Sequence, residues 1–350
     1  MPEMWLGNRS IRPGLASTGT TTNKIWKRAI IGSRHDWRSC GGVNSIPCRF
    51  KSYRFRQGRK EMETKLRRYL TETFRGRILM ISMKSTVVDF LREHFENIVD
   101  CKWTDIVFEE DILIRGESLG SYNFVIVGYG DHINMASTVI NYLKLHNIRY
   151  LCYGKGSNET SKISQNSKFE EMSIPQPKTI ISSKMKTSSE ELFSKLGLPV
   201  VVKSLDTARG EGVSKIDKRF QLDKFLSMGN KEDFFIFQEF IPNDGDIRVF
   251  FFRGQILYSI KRKSSSPKEF RNNISLGGKQ EYIDKLPPEV EDLAIKVDRI
   301  FNLDFAGVDI VQNKKTGEWL VFEINPAPQF FGDEKYVIPV IIDYINRGNI

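Results

Sequence analysis

The sequence predicts an α/β layer followed by a larger α+β body. Two observations carry this. From residue 77 to 155, short apolar runs alternate with amphipathic helical stretches, the pattern of parallel strands joined by helical crossovers. From residue 234 onward, apolar runs follow one another across short Gly-containing turns, the pattern of antiparallel pairing.

The elements follow in chain order. "RILMISM" (77–83) reads as a buried strand, and the stretch from Thr86 to Asn97 as an amphipathic helix. "NFVIVGYG" (123–130) is a second apolar strand, with a helix from about Met135 to His146, and "RYLCYG" (149–154) is a third. The Gly-Tyr-Gly after the second strand lacks G-x-G-x-x-G spacing, so a dinucleotide fingerprint is not met. The polar run "KGSNETSKISQNS" (155–167) marks a boundary and leads into a helix, which the two prolines of "SIPQPKTIISS" (173–183) end. A helix at Ser188 to Leu196, the strand "PVVVK" (199–203), a Gly-containing loop and a strand–helix pair through Gly229 form a small α+β unit. "FFIFQEFI" (234–241) leads to "DIRVFFF" and "QILYSIKRK", an antiparallel pair around "RGQ". A helix over 288–301, a hairpin over 305–324 and a last helix from about Tyr336 complete the chain.

The hairpin poses the chemical question. In "WLVFEINPAP" (319–328), Glu323 and Asn325 lie two residues apart and so on one face of the strand. Folding it back on "FAGVDIVQ" (305–312) around Lys315 to Gly317 sets Asp309 roughly opposite Glu323. Facing carboxylates repel unless both point to water or a cation lies between them. Asp, Glu and Asn are the oxygen ligands that Mg²⁺ takes, together with waters and phosphate.

Composition excludes several classes. At 40% hydrophobic and 27% charged residues the chain is ordinary for a soluble enzyme, and no apolar run approaches the ~20 residues of a membrane span. The four cysteines are scattered without metal-ligand spacing and fit free thiols in a reducing, cytoplasmic compartment. The four histidines are not paired at i, i+4, against a zinc hydrolase. The net charge of +10 is local: residues 1–60 hold 13 Lys/Arg against 2 Asp/Glu, whereas the remaining 290 hold 40 against 41. That first segment has no sustained apolar period and is expected to be disordered. It fits a transit sequence, a basic arm for nucleic acid, or an upstream stretch preceding a true start at Met62.

Two further stretches suit a nucleotide. In "VVVKSLDTARGEGVSKI" (200–216), Lys203 ends a strand beside a loop containing Gly210 and Gly212, whose backbone N–H groups suit a polyphosphate. No G-K-[ST] opens a helix there, so it is not a Walker loop. Gln238 to Phe240 ("QEF") end a strand where edge backbone groups can meet a purine, and Asp246 of "DIR" can take ribose hydroxyls.

Taken in order, VVVK, the Gly loop, QEF-I, DIR, KRK, FRNN-x-S-x-GG, GVDIV and FEIN resemble the ATP-grasp fold over about residues 160–328. Within it they are most similar to the RimK branch, ligases that add glutamate to the tail of a ribosomal small-subunit protein. The resemblance implies two α+β subdomains clasping ATP over 156–350, with a lid at about 180–240, preceded by a Rossmann-like pre-ATP-grasp domain over 61–155. It implies ATP-dependent joining of a carboxylate to an amine through an acyl phosphate. ATP and Mg²⁺ are the cofactors implied, two ions with Mn²⁺ able to substitute. The partners implied are a carboxylate and an amine on an amino acid, peptide or protein tail, with no membrane.

Residue by residue, the resemblance assigns Lys162 and Lys203 to ATP, with the Gly210–Gly212 loop over its phosphates. Gln238, Glu239 and Phe240 fall at the adenine, the last two through their backbone, and Asp246 at the ribose. Arg271 and Asn273 fall at the phosphates or acyl phosphate, and Asp309, Glu323 and Asn325 at Mg²⁺. The chain departs from the pattern at Arg209 and Glu211 in the phosphate loop, at Ser275 where the branch has histidine, and at Asn-Pro-Ala-Pro in place of Asn-Ala-Ser-Pro. A ligase acting on a small metabolite or cross-linking a peptide, and a non-catalytic ATP-binding regulator, are the competing functions.

Overall fold

The computed structural model describes residues 74–128, 132–154, 158–205, 212–266, 269–272, 277–330 and 334–347. The expectations for residues 1–60, for Gly210 and for Asn273 lie outside the described residues. No helix among the described residues is long and apolar enough to cross a membrane.

The first layer is a parallel sheet of β1 (Ile78–Ile81), β2 (Ile98–Cys101), β6 (Phe124–Val127) and β7 (Arg149–Cys152), in the order β2-β1-β6-β7. Helices α1 (Ser85–Arg92) and α2 (Ile133–Leu145) make the crossovers after β1 and β6. Every residue of β1 and β6 is buried, as both faces of a parallel sheet require. Leu79, Ile81, Val125 and Val127 pack on α2, while Ile78, Met80, Phe124 and Ile126 pack on α1 and the C-terminal helix.

Two features differ from the sequence reading. The helix expected to reach Asn97 stops at Arg92, because residues 98–101 are claimed by β1 as a parallel neighbour. A meander of β3 (Ile106–Phe108), β4 (Ile112–Ile114) and β5 (Glu117–Ser118) then precedes β6. Strands this short carry too little periodicity to stand out, and only their partners make them strands.

The body opens with α3 (Lys162–Glu171), capped by the Ser161 hydroxyl, which accepts from the Ser164 N–H at 3.2 Å. A small antiparallel sheet follows, built from β8 (Thr179–Ser183), β9 (Val200–Ser204), β10 (Val213–Ile216) and β11 (Phe234–Glu239) in the order β10-β9-β11-β8. Helices α4 (Ser189–Leu196) and α5 (Arg219–Ser227) cover one face through Leu192, Leu196, Leu222 and Leu226.

The larger sheet is antiparallel: β12 (Asp246–Phe252), β13 (Gln255–Lys263), β14 (Lys279–Tyr282), β15 (Phe305–Gln312) and β16 (Trp319–Asn325), ordered β14-β13-β12-β15-β16. Its faces are sorted by the period of two. Ile247, Val249, Phe251, Val308 and Ile310 meet helix α6 (Pro288–Phe301), while Phe250, Phe252 and Phe305 meet the final helix α7 (Glu334–Asn346). That second core is continuous with β1 and β6, so α7 is wedged between the first layer and the larger sheet.

Candidate active site

The alternation that buries phenylalanines at one end of β12 and β15 brings charges to the same face at the other end. Asp246 and Arg248 lie on the Phe250 face of β12, and Asp309 lies on the Phe305 face of β15. Glu323 stands opposite Asp309 in the β15–β16 register, as the folded hairpin requires. The register shifts beyond Asp309, and β16 bulges there, so that Phe322 and Glu323 both reach the same cavity. The Asn325 Nδ2 group donates to Asp309 Oδ2 at 3.2 Å and to Glu323 Oε1 at 3.0 Å. The three predicted metal-site side chains therefore converge on one point.

Two buried arginines complete this cluster, and sequence reasoning assigned neither a role. Arg248 grips Asp309 with both prongs, Nε to Oδ1 and Nη2 to Oδ2, each at 2.6 Å. Arg262 lies between the acids, donating from Nε to Asp246 Oδ1 at 3.1 Å and from Nη2 to Asp246 Oδ2, with Nη2 also 3.0 Å from Asp309 Oδ2. The signals were present: Arg248 is two residues from Asp246, and the β12–β13 hairpin pairs Asp246 with Arg262. Burial works to raise the Asp309 pKa, but the two guanidiniums outweigh it and hold the carboxyl at about 2. Asp246 moves the other way, raised by burial and by the charge of Asp309 against the pull of Arg262. The ribose role assigned to Asp246 meets a constraint here, since both its oxygens are committed to Arg262.

Glycine is required twice around this cluster. Gly245 sits at φ +107°, and a Cβ there would lie 2.3 Å from the Arg262 carbonyl oxygen. A Cβ on Gly307 would come within 2.9 Å of Pro328 Cβ and 3.4 Å of Arg248 Cδ.

The lysines approach from the opposite side. Lys162 opens α3 and donates to the Ser204 carbonyl at 2.6 Å, holding the end of β9. Lys203, on β9, places its ammonium 5.6 Å from the Phe322 ring centroid. Burial and the neighbouring Lys162 lower its pKa, while Glu323 and Asp309 oppose the shift. Gly212 has φ +62°, and its carbonyl accepts from the Ser204 N–H at 3.0 Å, closing the neck of the Gly loop.

The end of β11 is more committed than the sequence suggested. Gln238 Nε2 donates to Thr179 Oγ1 at 2.9 Å. The Glu239 N–H donates to the Lys178 carbonyl and the Phe240 N–H to the Pro199 carbonyl, so neither amide is open to a purine. The backbone donor left next to them is Ile241, whose N–H has no acceptor among the described residues. Arg271 pairs with Glu269 through Nε at 2.8 Å and Nη2 at 2.7 Å, and this pairing first of all pulls the Glu269 carboxyl down to about 2.

One cavity of about 200 Å³ gathers these groups. Lys162, Lys203, Gln238, Glu239, Phe240, Asp246, Arg271, Asp309, Glu323 and Asn325 all line it; Gly212 does not. Its walls are β9–β11 on one side, β12, β13, β15 and β16 on the other, and the start of α3. Gln165 of α3 also lines it, and here too sequence reasoning missed a role. Its amide accepts from the Ile324 N–H at 2.9 Å and donates to the Ile324 carbonyl at 2.9 Å, capping the open edge of β16 between Glu323 and Asn325.

Among the described residues no three His, Cys, Asp or Glu side chains cluster as a metal site by themselves. Two carboxylates and an amide suit Mg²⁺ all the same, because that ion takes few protein ligands and completes its shell with phosphate and water. Turning the Asn325 amide over would present its oxygen to the same point.

Known proteins resemble this chain in sequence and in fold. A family model described as the RimK-like ATP-grasp domain matches residues 160–345. The chain is 33% identical over 180 residues to a probable alpha-L-glutamate ligase 2 of Hahella chejuensis, covering 49% of this chain and 58% of that protein. It is 27% identical over 267 residues to a probable alpha-L-glutamate ligase 2 of Shewanella baltica, covering 73% and 87%. The fold is shared with the ATP-grasp ligase PsnB bound to its minimal precursor, with TM-score 0.59, 14% identity, and coverage of 78% of this chain and 99% of that one. A second PsnB structure, bound to a phosphomimetic precursor variant with Mg and ADP, aligns with TM-score 0.57 at 16% identity, covering 77% and 97%. With more than half of its length matched by that family model, this chain belongs to the RimK-like ATP-grasp family.

Proposed function

We propose that the cavity binds ATP with Mg²⁺ and that the chain is an ATP-dependent carboxylate–amine ligase acting on an amino acid and a peptide or protein acceptor. The observation that carries this is the convergence of the two lysines, the Asp309–Glu323–Asn325 set and the end of β11 on one cavity. The reaction transfers the γ-phosphoryl group to a carboxylate, an amine displaces phosphate from the acyl phosphate, and an amide, ADP and phosphate result.

Phosphoryl transfer needs charge neutralisation and alignment more than a protein nucleophile. Lys203 and Lys162 meet the phosphates from the small sheet. Arg271, once it leaves Glu269, and Asn273 are the residues for the transferred group or the acyl phosphate. Phe240 and the Ile241 N–H flank the adenine, and Asp309, Glu323 and Asn325 hold two Mg²⁺ ions, for which Mn²⁺ substitutes. Held there, a metal would neutralise phosphate charge and polarise the transferred group.

The relatives' names point to L-glutamate as the first amino acid to test, and the PsnB complexes to a peptide acceptor. We place the reaction in the cytoplasm, consistent with the free thiols of Cys101 and Cys152. The test is phosphate release from MgATP with single amino acids, L-glutamate first, with and without acidic peptides. Phosphate release that depends on an amino acid, with a product heavier by one residue, supports the reading; ATP binding with no such dependence in any pool sinks it.

A further inference from the structure

The Oδ2 oxygen of Asp309 has no lone pair to spare. The carboxylate accepts from Arg248 Nε on Oδ1 and from Arg248 Nη2, Arg262 Nη2 and Asn325 Nδ2 on Oδ2. Each carboxylate oxygen offers about two acceptor sites, so Oδ2 is filled by the two guanidiniums even with the Asn325 amide turned over, while Oδ1 keeps one. Glu323, by contrast, accepts only from Asn325 among the described residues. A cation shared by Asp309 Oδ2, Glu323 and Asn325 can bind only by displacing a guanidinium.

Charge sets the terms of that displacement. Arg248, Arg262, Lys162 and Lys203 already balance Glu239, Asp246, Asp309 and Glu323 in and beside the cavity, and Arg271 is balanced by Glu269. A bare dication entering this poorly solvated cluster would create a positive excess, whereas a dication arriving with a polyphosphate would not. The Arg248 side chain runs beside Gly307, where a Cβ would stand 3.4 Å from Arg248 Cδ and 3.6 Å from Arg248 Nε.

We propose that Arg248 and Asp309 form an exchange pair: Arg248 holds Asp309 until a polyphosphate arrives, then turns to the anion and releases Asp309 to the cation. The site thereby refuses the free metal and accepts the metal with its nucleotide. This rests on the reading of the cavity as a metal–nucleotide site. Arg248 acts first as a positioning residue, keeping Asp309 ionised and aimed, and then as an anion ligand.

The probe is Mn²⁺, titrated by electron paramagnetic resonance into nucleotide-free protein and again with ADP present. Wild type should bind Mn²⁺ weakly alone. Arg248→Met should bind it at least about tenfold more tightly without nucleotide, and should lose about tenfold in ADP affinity with Mn²⁺ present. Arg248→Lys keeps the charge without the two-pronged grip and should fall between them; it carries the test if Arg248→Met does not fold. Unchanged or weaker Mn²⁺ binding in the folded variant, without nucleotide, overturns the exchange and leaves Arg248 a structural clamp. Glu323→Ala, run in parallel, separates the two failures. If it keeps wild-type Mn²⁺ binding, the site reading fails and takes the exchange with it; if it loses Mn²⁺ while Arg248→Met gains nothing, only the exchange fails.

Discussion

Replacing Gln165 by Met should both destabilise the fold and loosen the metal-side strand. β16 is an edge strand, so the backbone groups of Ile324 that face away from β15 have no ladder partner. Gln165 supplies one, with two hydrogen bonds to Ile324 at 2.9 Å and a third to the Thr160 carbonyl at 2.8 Å. Methionine fills nearly the same volume but makes none of these bonds. Ile324 is only 1% exposed, so its N–H and C=O cannot turn to water instead. A buried polar group left unpaired costs about 1–3 kcal/mol, and two to three such groups with partial relaxation give about 3 kcal/mol in all. Urea unfolding measures this, and amide exchange at Ile324 should accelerate beyond the global change, because the edge opens locally. Glu323 and Asn325 flank Ile324, so Mn²⁺ affinity should also fall. A variant with wild-type stability and unaltered exchange at Ile324 would refute the edge-capping argument.

Lys203→Ala should weaken ATP binding by about 1.5–3 kcal/mol, the scale of a charge-assisted hydrogen bond, with little effect on unfolding; calorimetric titration giving unchanged affinity would remove the phosphates from β9. Asp298 on α6 is 3% exposed, its Oδ1 has no hydrogen-bond partner among the described residues, and burial raises its pKa from 3.8 to about 6. Because the folded value lies above the unfolded one, ionisation costs nothing below about pH 4, costs progressively more up to about pH 6, and above that costs on the order of 3 kcal/mol. Asp298→Asn should therefore stabilise the protein at pH 8 and not at pH 4, and thermal melts with parallel pH profiles for the two proteins would contradict this.

Legibility in the sequence followed the range of the interaction. The helix at 288–301 was read to the residue, because its apolar stripe and its proline start are local features. The Asp309–Glu323 pairing was legible because one hairpin turn fixes it. Strand β2 and the β3–β5 meander were not, being three- and four-residue runs or shorter whose partners lie elsewhere in the chain. The commitments at the end of β11 were not legible for the same reason: its amides are spent on Lys178 and Pro199, one about 60 and one about 40 residues earlier in the chain.

The sequence alone determined the family, the order of the motifs and the chemical type of the site, since these rest on residue identity and on periods of two and 3.6. Tertiary structure decided how the charges are shared. Arg248 and Arg262 looked like ordinary strand residues until β12 was set between β13 and β15, and Gln165 like an ordinary helix residue until α3 lay along the edge of β16. A carboxylate shows in the sequence as a ligand of the right type; whether its lone pairs are free depends on what the folded chain brings within 3 Å, and for Asp309 that is two guanidiniums and an amide.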